Sequence, residues 1–254
     1  MLLRSQQRLI WQDNFDFNLD NKHIHVWYIN INDYINSIPE LISKIDKQET
    51  KRAHQFKFDK DRNCFICSHA ILRILLGKYC NCDTTKITYD YTVNNKPILT
   101  YDKNLHFNLS HSSHRAIIAF TKNRPIGIDI EYMQEKETLD NLAKRFFSSQ
   151  EYNEYKLLPE QHKTQGFYNA WTRKEAVVKA IGIGITCSLK SFSINLTPGS
   201  KAKLLSMHNQ NDVTNWQLYG FNPEEKYCAA IAWHGPQKMI LGHKTDDLNL
   251  IGMR

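Results

Sequence analysis

The chain has 254 residues, 41% of them hydrophobic and 23% charged, with a formal net charge of +7. That composition excludes disorder over most of the length and is enough for one large domain or two modest ones, each with a core. Residues 1–15 carry no secretory signal pattern, and no run reaches the roughly 18 apolar residues of a membrane span.

In chain order, residues 23–30 (HIHVWYIN) alternate as a strand does. Helical spacing covers 34–48, a short helix 51–58, and a long apolar-periodic helix 61–79 that ends near Gly77. Strands follow at 86–91, 105–110 and 115–121, with Asn94-Asn95-Lys96-Pro97 as turn chemistry. After Asn123-Arg124-Pro125 the order starts again. Residues 126–131 read as a strand, 138–147 and 149–157 as short helices, 163–181 as a long helix, and 190–196, 201–206, 216–221 and 226–233 as strands. The shared order points to two similar α/β halves, 1–124 and 125–235, with 236–254 a loose polar tail; a cleft between such halves is a favoured ligand site. Cys64-x-x-Cys67 and Cys80-x-Cys82 fit zinc spacing poorly, and Cys64 and Cys67 fall in a helix where free Cys is a small buried apolar residue.

Three motifs carry chemistry. In Gly127-Ile128-Asp129-Ile130-Glu131 the alternation of a strand sends the isoleucines one way and both carboxylates the other. Two neighbouring carboxylates repel unless something positive lies between them, a need that a hard cation with oxygen ligands meets; the alternative is a solvated strand face. In Trp171-Thr172-Arg173-Lys174-Glu175-Ala176-Val177-Val178-Lys179, an apolar helical stripe has Glu175 at its edge and Lys179 one turn on. Charges at a core boundary are costly without partners, and Lys174 lies within the apolar arc; a surface Glu–Lys pair is the alternative. Gly182-Ile183-Gly184 ends that helix. Phe107-Asn108-Leu109-Ser110-His111-Ser112 reads either as a Ser–His nucleophile pair or as a polar loop holding phosphate oxygens; no G-x-S-x-G elbow supports the former. The densest basic patch is Lys51, Arg52, Lys57, Lys60 and Arg62.

Together, in order and spacing, Asn95-Lys96-Pro97, residues 107–112, 127–131, Lys144–Ser148 and 171–179 resemble the Sfp-type 4′-phosphopantetheinyl transferases over residues 23–233. The resemblance implies an α+β fold, a pseudo-dimer of two similar α/β halves with coenzyme A in a cleft between them. It implies transfer of the phosphopantetheine arm of coenzyme A to a serine of an apo acyl or peptidyl carrier protein, with release of 3′,5′-ADP. Asp129, Glu131 and Glu175 would hold Mg²⁺. Glu175 is the first choice of general base and Glu131 the second, and Lys179 would hold a phosphate and steady the leaving group. Ser110, His111, Lys51, Arg52, Arg62 and Lys96 would line the coenzyme A site, His111 at the 3′-phosphate. Two departures stand out: Asn95 replaces the usual Gly of Gly-Lys-Pro, and His54 stands where a second Lys or Arg is common. Carrier proteins are typically acidic, so the basic charge suits the encounter. The expectation is a cytoplasmic monomer acting on neither nucleic acid nor membrane. A Mg²⁺-dependent phosphohydrolase or nuclease using the same carboxylates, and a non-catalytic binding module, are the rival readings.

Overall fold

The structure is a computed structural model that describes residues 9–12, 16–182, 189–208 and 213–244. Ile183 and Gly184 of the expected helix stop, and residues 245–254 of the expected tail, lie outside the described residues. Contacts divide the chain into two compact units. The first takes the described residues of Met1–Asp90, Pro97–Asn123 and Lys238–Arg254; the second takes those of Tyr91–Lys96 and Arg124–Gln237. Among the described residues no helix is long and apolar enough to cross a membrane.

The first unit begins with β1 (Leu9–Gln12) and β2 (His23–Asn30), followed by α1 (Ile38–Leu41), α2 (Lys47–Ala53) and the long α3 (Asp59–Tyr79). The expected helix over 34–48 is instead broken. Tight 3₁₀ turns at Ile31–Ser37 and Ile42–Lys44 flank α1, whose first turn holds Pro39, and Asp46 opens α2 with a capping box to Glu49. That capping box also starts α2 ahead of the expected 51. α3 runs past Gly77, where a Cβ would stand 2.8 Å from the Cys82 carbonyl oxygen; the glycine therefore serves the chain's return rather than the helix's end. β3 (Tyr89–Tyr91) and β4 (Pro97–Leu99) pair as a small hairpin, and β5 (Leu105–Ser112) and β6 (Arg115–Lys122) follow. The second unit comprises β7 (Ile126–Tyr132), α4 (Leu139–Phe146), α5 (Ser149–Leu157), α6 (Glu160–Ile181), the β8 (Phe192–Ile194) and β9 (Leu204–Met207) hairpin, β10 (Trp216–Phe221) and β11 (Tyr227–His234).

The chain then returns to the first unit as β12 (Met239–Lys244), parallel between β1 and β2. This corrects the expectation of a loose tail from 236. Ile240, Gly242 and His243 fit a sheet interior, but the segment is too short and mixed for periodicity to reveal it.

The two units share more than element order. In the first, β2 pairs antiparallel with β6, and β6 with β5; in the second, β7 pairs antiparallel with β11, and β11 with β10. Each also has a short helix opened by a capping box whose glutamate receives a buried cation from the long helix. Arg73 of α3 donates through Nε to Glu49 at 2.5 Å and through Nη1 to the Ile87 carbonyl at 2.8 Å, and also binds Asp46. Lys174 of α6 donates to both Glu151 oxygens at 2.6 and 2.7 Å and to the Phe192 carbonyl at 2.8 Å. Lys174 and Glu151 are 1% and 0% exposed, which explains a charge inside the apolar arc: it is fully paired. The fold is α+β and internally duplicated, as expected.

Candidate active site

Gly127 makes the site possible. Its Cβ would stand 2.0 Å from the Ala176 carbonyl oxygen and 2.4 Å from the Ala180 nitrogen, so the absent side chain lets α6 lie directly on β7. Asp129 and Glu131 alternate on the same strand face as Gly127, and their cross-strand partners Ala230 and Cys228 belong to the core beneath α6. The carboxylates thus face the helix that carries Glu175 and Lys179, while Ile126, Ile128 and Ile130 are fully buried on the other face.

Lys179 donates from Nζ to Asp129 Oδ1 at 2.7 Å and to the Ile128 carbonyl at 3.2 Å. Asp129 is buried, and Glu175 and Lys179 are half-buried. Burial, and after it the charge of Asp129, push the Glu175 carboxyl above its ordinary range, while Lys179 pulls it partly back. At the outer end of the strand Glu131 is half-buried. Burial raises the phenol of Tyr168, the Gln134 N–H that donates to its hydroxyl at 3.2 Å partly lowers it, and the Glu131 charge adds a smaller upward push.

The donor chemistry fits a hard divalent cation: the side chains are oxygen donors, and the Asp129 charge adds to the burial that raises Glu175. As placed, however, the carboxylates do not close around one point. Among the described residues no three His, Cys, Asp or Glu side chains form a metal-holding group, and Lys179 occupies Asp129. Among the described residues the cysteines form no metal-holding group either. Cys64 and Cys67 are buried in α3, where burial pushes the Cys64 thiol up to about 11, and Cys82 lies 3.4 Å from the Tyr101 hydroxyl.

The first unit holds most of the expected phosphate-binding residues. Lys51 and Arg52 are exposed in the last turn of α2, with Arg52 over the Phe65 ring at 5.4 Å. Arg62, in the first turns of α3, pairs with Asp59 at 2.8 Å, and His54 is exposed at the end of α2. The 107–112 motif lies within β5 rather than in a loop; Ser110 is buried and His111 exposed.

Lys96 differs from its expected place in a phosphate lining. Its Nζ donates to the carbonyls of Lys179 at 2.6 Å, Ile126 at 3.0 Å and Ala180 at 3.5 Å. Burial pulls its pKa down to about 8. The turn survives the Gly-to-Asn departure, because Asn95 adopts a φ of 61°. Sequence reasoning also missed the tasks of Gly127 and Glu151. The capping box from Ser148 to Glu151 was a visible signal for the second: a lysine in an apolar arc needs a carboxylate, and this one was already fixed.

A profile described as the 4′-phosphopantetheinyl transferase superfamily matches residues 125–232, and one described as the 4′-phosphopantetheinyl transferase N-terminal domain matches 35–123. The 4′-phosphopantetheinyl transferase HetI of Nostoc sp. is 36% identical over 215 residues, covering 84% of this chain and 88% of that protein. The 4′-phosphopantetheinyl transferase Sfp of Bacillus subtilis is 31% identical over 156 residues, covering 61% and 68%. The L-aminoadipate-semialdehyde dehydrogenase-phosphopantetheinyl transferase of Homo sapiens is 26% identical, covering 62% and 54%. The chain belongs to the 4′-phosphopantetheinyl transferase superfamily.

Proposed function

We propose that this chain moves the 4′-phosphopantetheine arm of coenzyme A onto a serine hydroxyl of an apo acyl or peptidyl carrier protein, with Mg²⁺ required and 3′,5′-ADP released. The observation that carries the reading is the charged set between β7 and α6, with Asp129 buried and Glu175 and Lys179 half-buried. Family membership supplies the substrate class.

Asp129, Glu131 and Glu175 would hold the Mg²⁺, which when bound supplies positive charge against the pyrophosphate. Glu175 takes the serine proton: its raised pKa makes it a stronger base than an ordinary carboxylate. The serine oxygen bonds to the phosphorus bearing the pantetheine arm, and the bond from that phosphorus to 3′,5′-ADP breaks. Lys179 turns its ammonium to the leaving phosphate. Ser110, His111, Lys51, Arg52 and Arg62 are assigned to the phosphates of coenzyme A, with His111 at the 3′-phosphate. The enzyme works as a cytoplasmic monomer. Little covalent help is needed, so positioning and charge dominate.

The test mixes the protein with coenzyme A, an apo carrier protein and either Mg²⁺ or a chelator, and weighs the carrier by mass spectrometry. The carrier gains the phosphopantetheine mass with Mg²⁺ and not with chelator. Glu175→Gln lowers kcat about 10²–10⁴-fold, the range of general base catalysis, with its unfolding transition unchanged. Full activity in that variant sinks the base assignment. Turnover of coenzyme A or nucleic acid with no carrier present favours a hydrolase instead.

A further inference from the structure

We propose that Lys96 is a positioning residue that ties the C-terminal turn of α6 to the start of β7, and so places Lys179 and Glu175 against Asp129. The role in transfer rests on the proposed function; the clamp itself does not.

The donor count leads to this reading. An ammonium group has three N–H donors and no acceptor. Lys96 has three carbonyl partners, those of Lys179, Ile126 and Ala180, so its hydrogen-bonding capacity is spent on backbone. A phosphate ligand would have to displace one of them.

The partners are also the right ones for a clamp. The last carbonyls of a helix lack intrahelical donors, and the negative end of the helix dipole favours a cation there. At the end of α6, the Gly182 N–H takes the Val178 carbonyl at 2.9 Å. Lys96 takes the next two, and Asn94 Nδ2 donates to the Gly182 carbonyl at 3.0 Å. On the strand side, β7 is an edge of the β10-β11-β7 sheet. Its Ile126 carbonyl accepts from Lys96 and its Ile128 carbonyl from Lys179, so alternate carbonyls of one edge are held by two lysines. Lys96 grips the backbone of Lys179, and the side chain of Lys179 grips Asp129. Fixing the first fixes the reach of the second.

The turn that presents Lys96 is itself firm. The Thr92 N–H donates to the Lys96 carbonyl at 2.9 Å, the Lys96 N–H donates to Thr92 Oγ1 at 3.1 Å, and Pro97 follows. The desolvation that lowers the Lys96 pKa is a cost a solvated phosphate ligand would not carry, and the carbonyl bonds offset it.

Lys96→Met separates the two roles. A positioning role predicts a kcat about tenfold to a hundredfold lower, the penalty of misplaced groups, with the KM for coenzyme A within about twofold. Lys96→Arg recovers part of the loss because it keeps the charge. Asn94→Ala, which removes only the bond to Gly182, lowers kcat a few-fold, about threefold on the same scale. A KM for coenzyme A raised about tenfold with kcat kept, or no change in either constant, overturns the proposal. Hydrogen exchange over residues 174–182 reads the clamp without any turnover: it quickens in Lys96→Met, and unchanged protection also overturns the proposal. If the wild-type protein modifies no carrier, the functional reading fails while exchange still decides the clamp. Should Lys96→Met not fold, the Lys96→Arg and Asn94→Ala variants decide by the same split.

Discussion

Under its long helix the first unit places Trp27 and Ile29 of β2, which join the core with Ala116, Ile118 and Phe120. On the corresponding face of β7 the second unit places Gly127, Asp129 and Glu131. The sheets have the same strand pairing, and both long helices are anchored by a buried cation on a capping-box glutamate. The first sheet carries β1 and β12 in addition, but the difference that makes a site is what fills the space between helix and sheet. Large apolar side chains there make a core. A missing side chain followed by two carboxylates makes a half-buried charged site at the same layer. The anchor explains how the second unit tolerates this, since Lys174 and Glu151 hold α6 independently of Asp129 and Lys179.

The largest expected effect breaks that anchor. Glu151→Gln leaves Lys174 buried without its carboxylate and costs about 3–5 kcal/mol in urea unfolding, the range for removing one partner of a buried pair. The matching change in the first unit, Glu49→Gln, costs less, because Arg73 keeps Asp46 and the Ile87 carbonyl. Equal losses would show that the two anchors are not held in these different ways.

Gly127→Ala comes next. The added methyl meets the α6 backbone, which cannot yield as a flexible side chain can, and overpacking of this kind costs about 1–3 kcal/mol. Transfer should fall further than stability, because the pushed helix carries Glu175 and Lys179. A variant with wild-type stability and turnover would refute the close approach of helix and strand.

The smallest effect is a pH dependence specific to the first unit. His25 and His243 lie on adjacent strands with ring centroids 5.4 Å apart, and His25 Nδ1 is 2.7 Å from the Tyr79 hydroxyl. Burial, followed by the charge of a neighbouring histidine, pulls each to about 4 from 6.5. The folded state therefore binds fewer protons than the unfolded chain in this window. The stability contributed by the neutral rings is complete above about pH 6.5 and is lost as pH falls toward about 4. Urea midpoints should drop between about pH 7 and pH 5, and His243→Phe should flatten the drop. A slope unchanged in that variant would remove His243 from the account.

Much of the fold was legible because its signals are local. The alternation of His23–Asn30 and Ile126–Tyr132, and the apolar periods of α3 and α6, mark the layers that repeat. The carboxylates of β7 were legible as a pair for the same reason, since a strand puts alternate residues on one face. The breaks in the first helical region and the strand Met239–Lys244 were not, because a proline with a competing cap, and a partner strand more than 200 residues away, decide them.

The sequence by itself determined which residues bear charge at the core boundary and the family in which they occur. Only the tertiary structure decided what each charge is for. Periodicity gives the face a side chain takes, but a buried charge is governed by its partners, and those come from other elements. Lys174 finds Glu151 on α5, Lys179 finds Asp129 on β7, and Lys96, expected on a phosphate, finds three backbone carbonyls of β7 and α6.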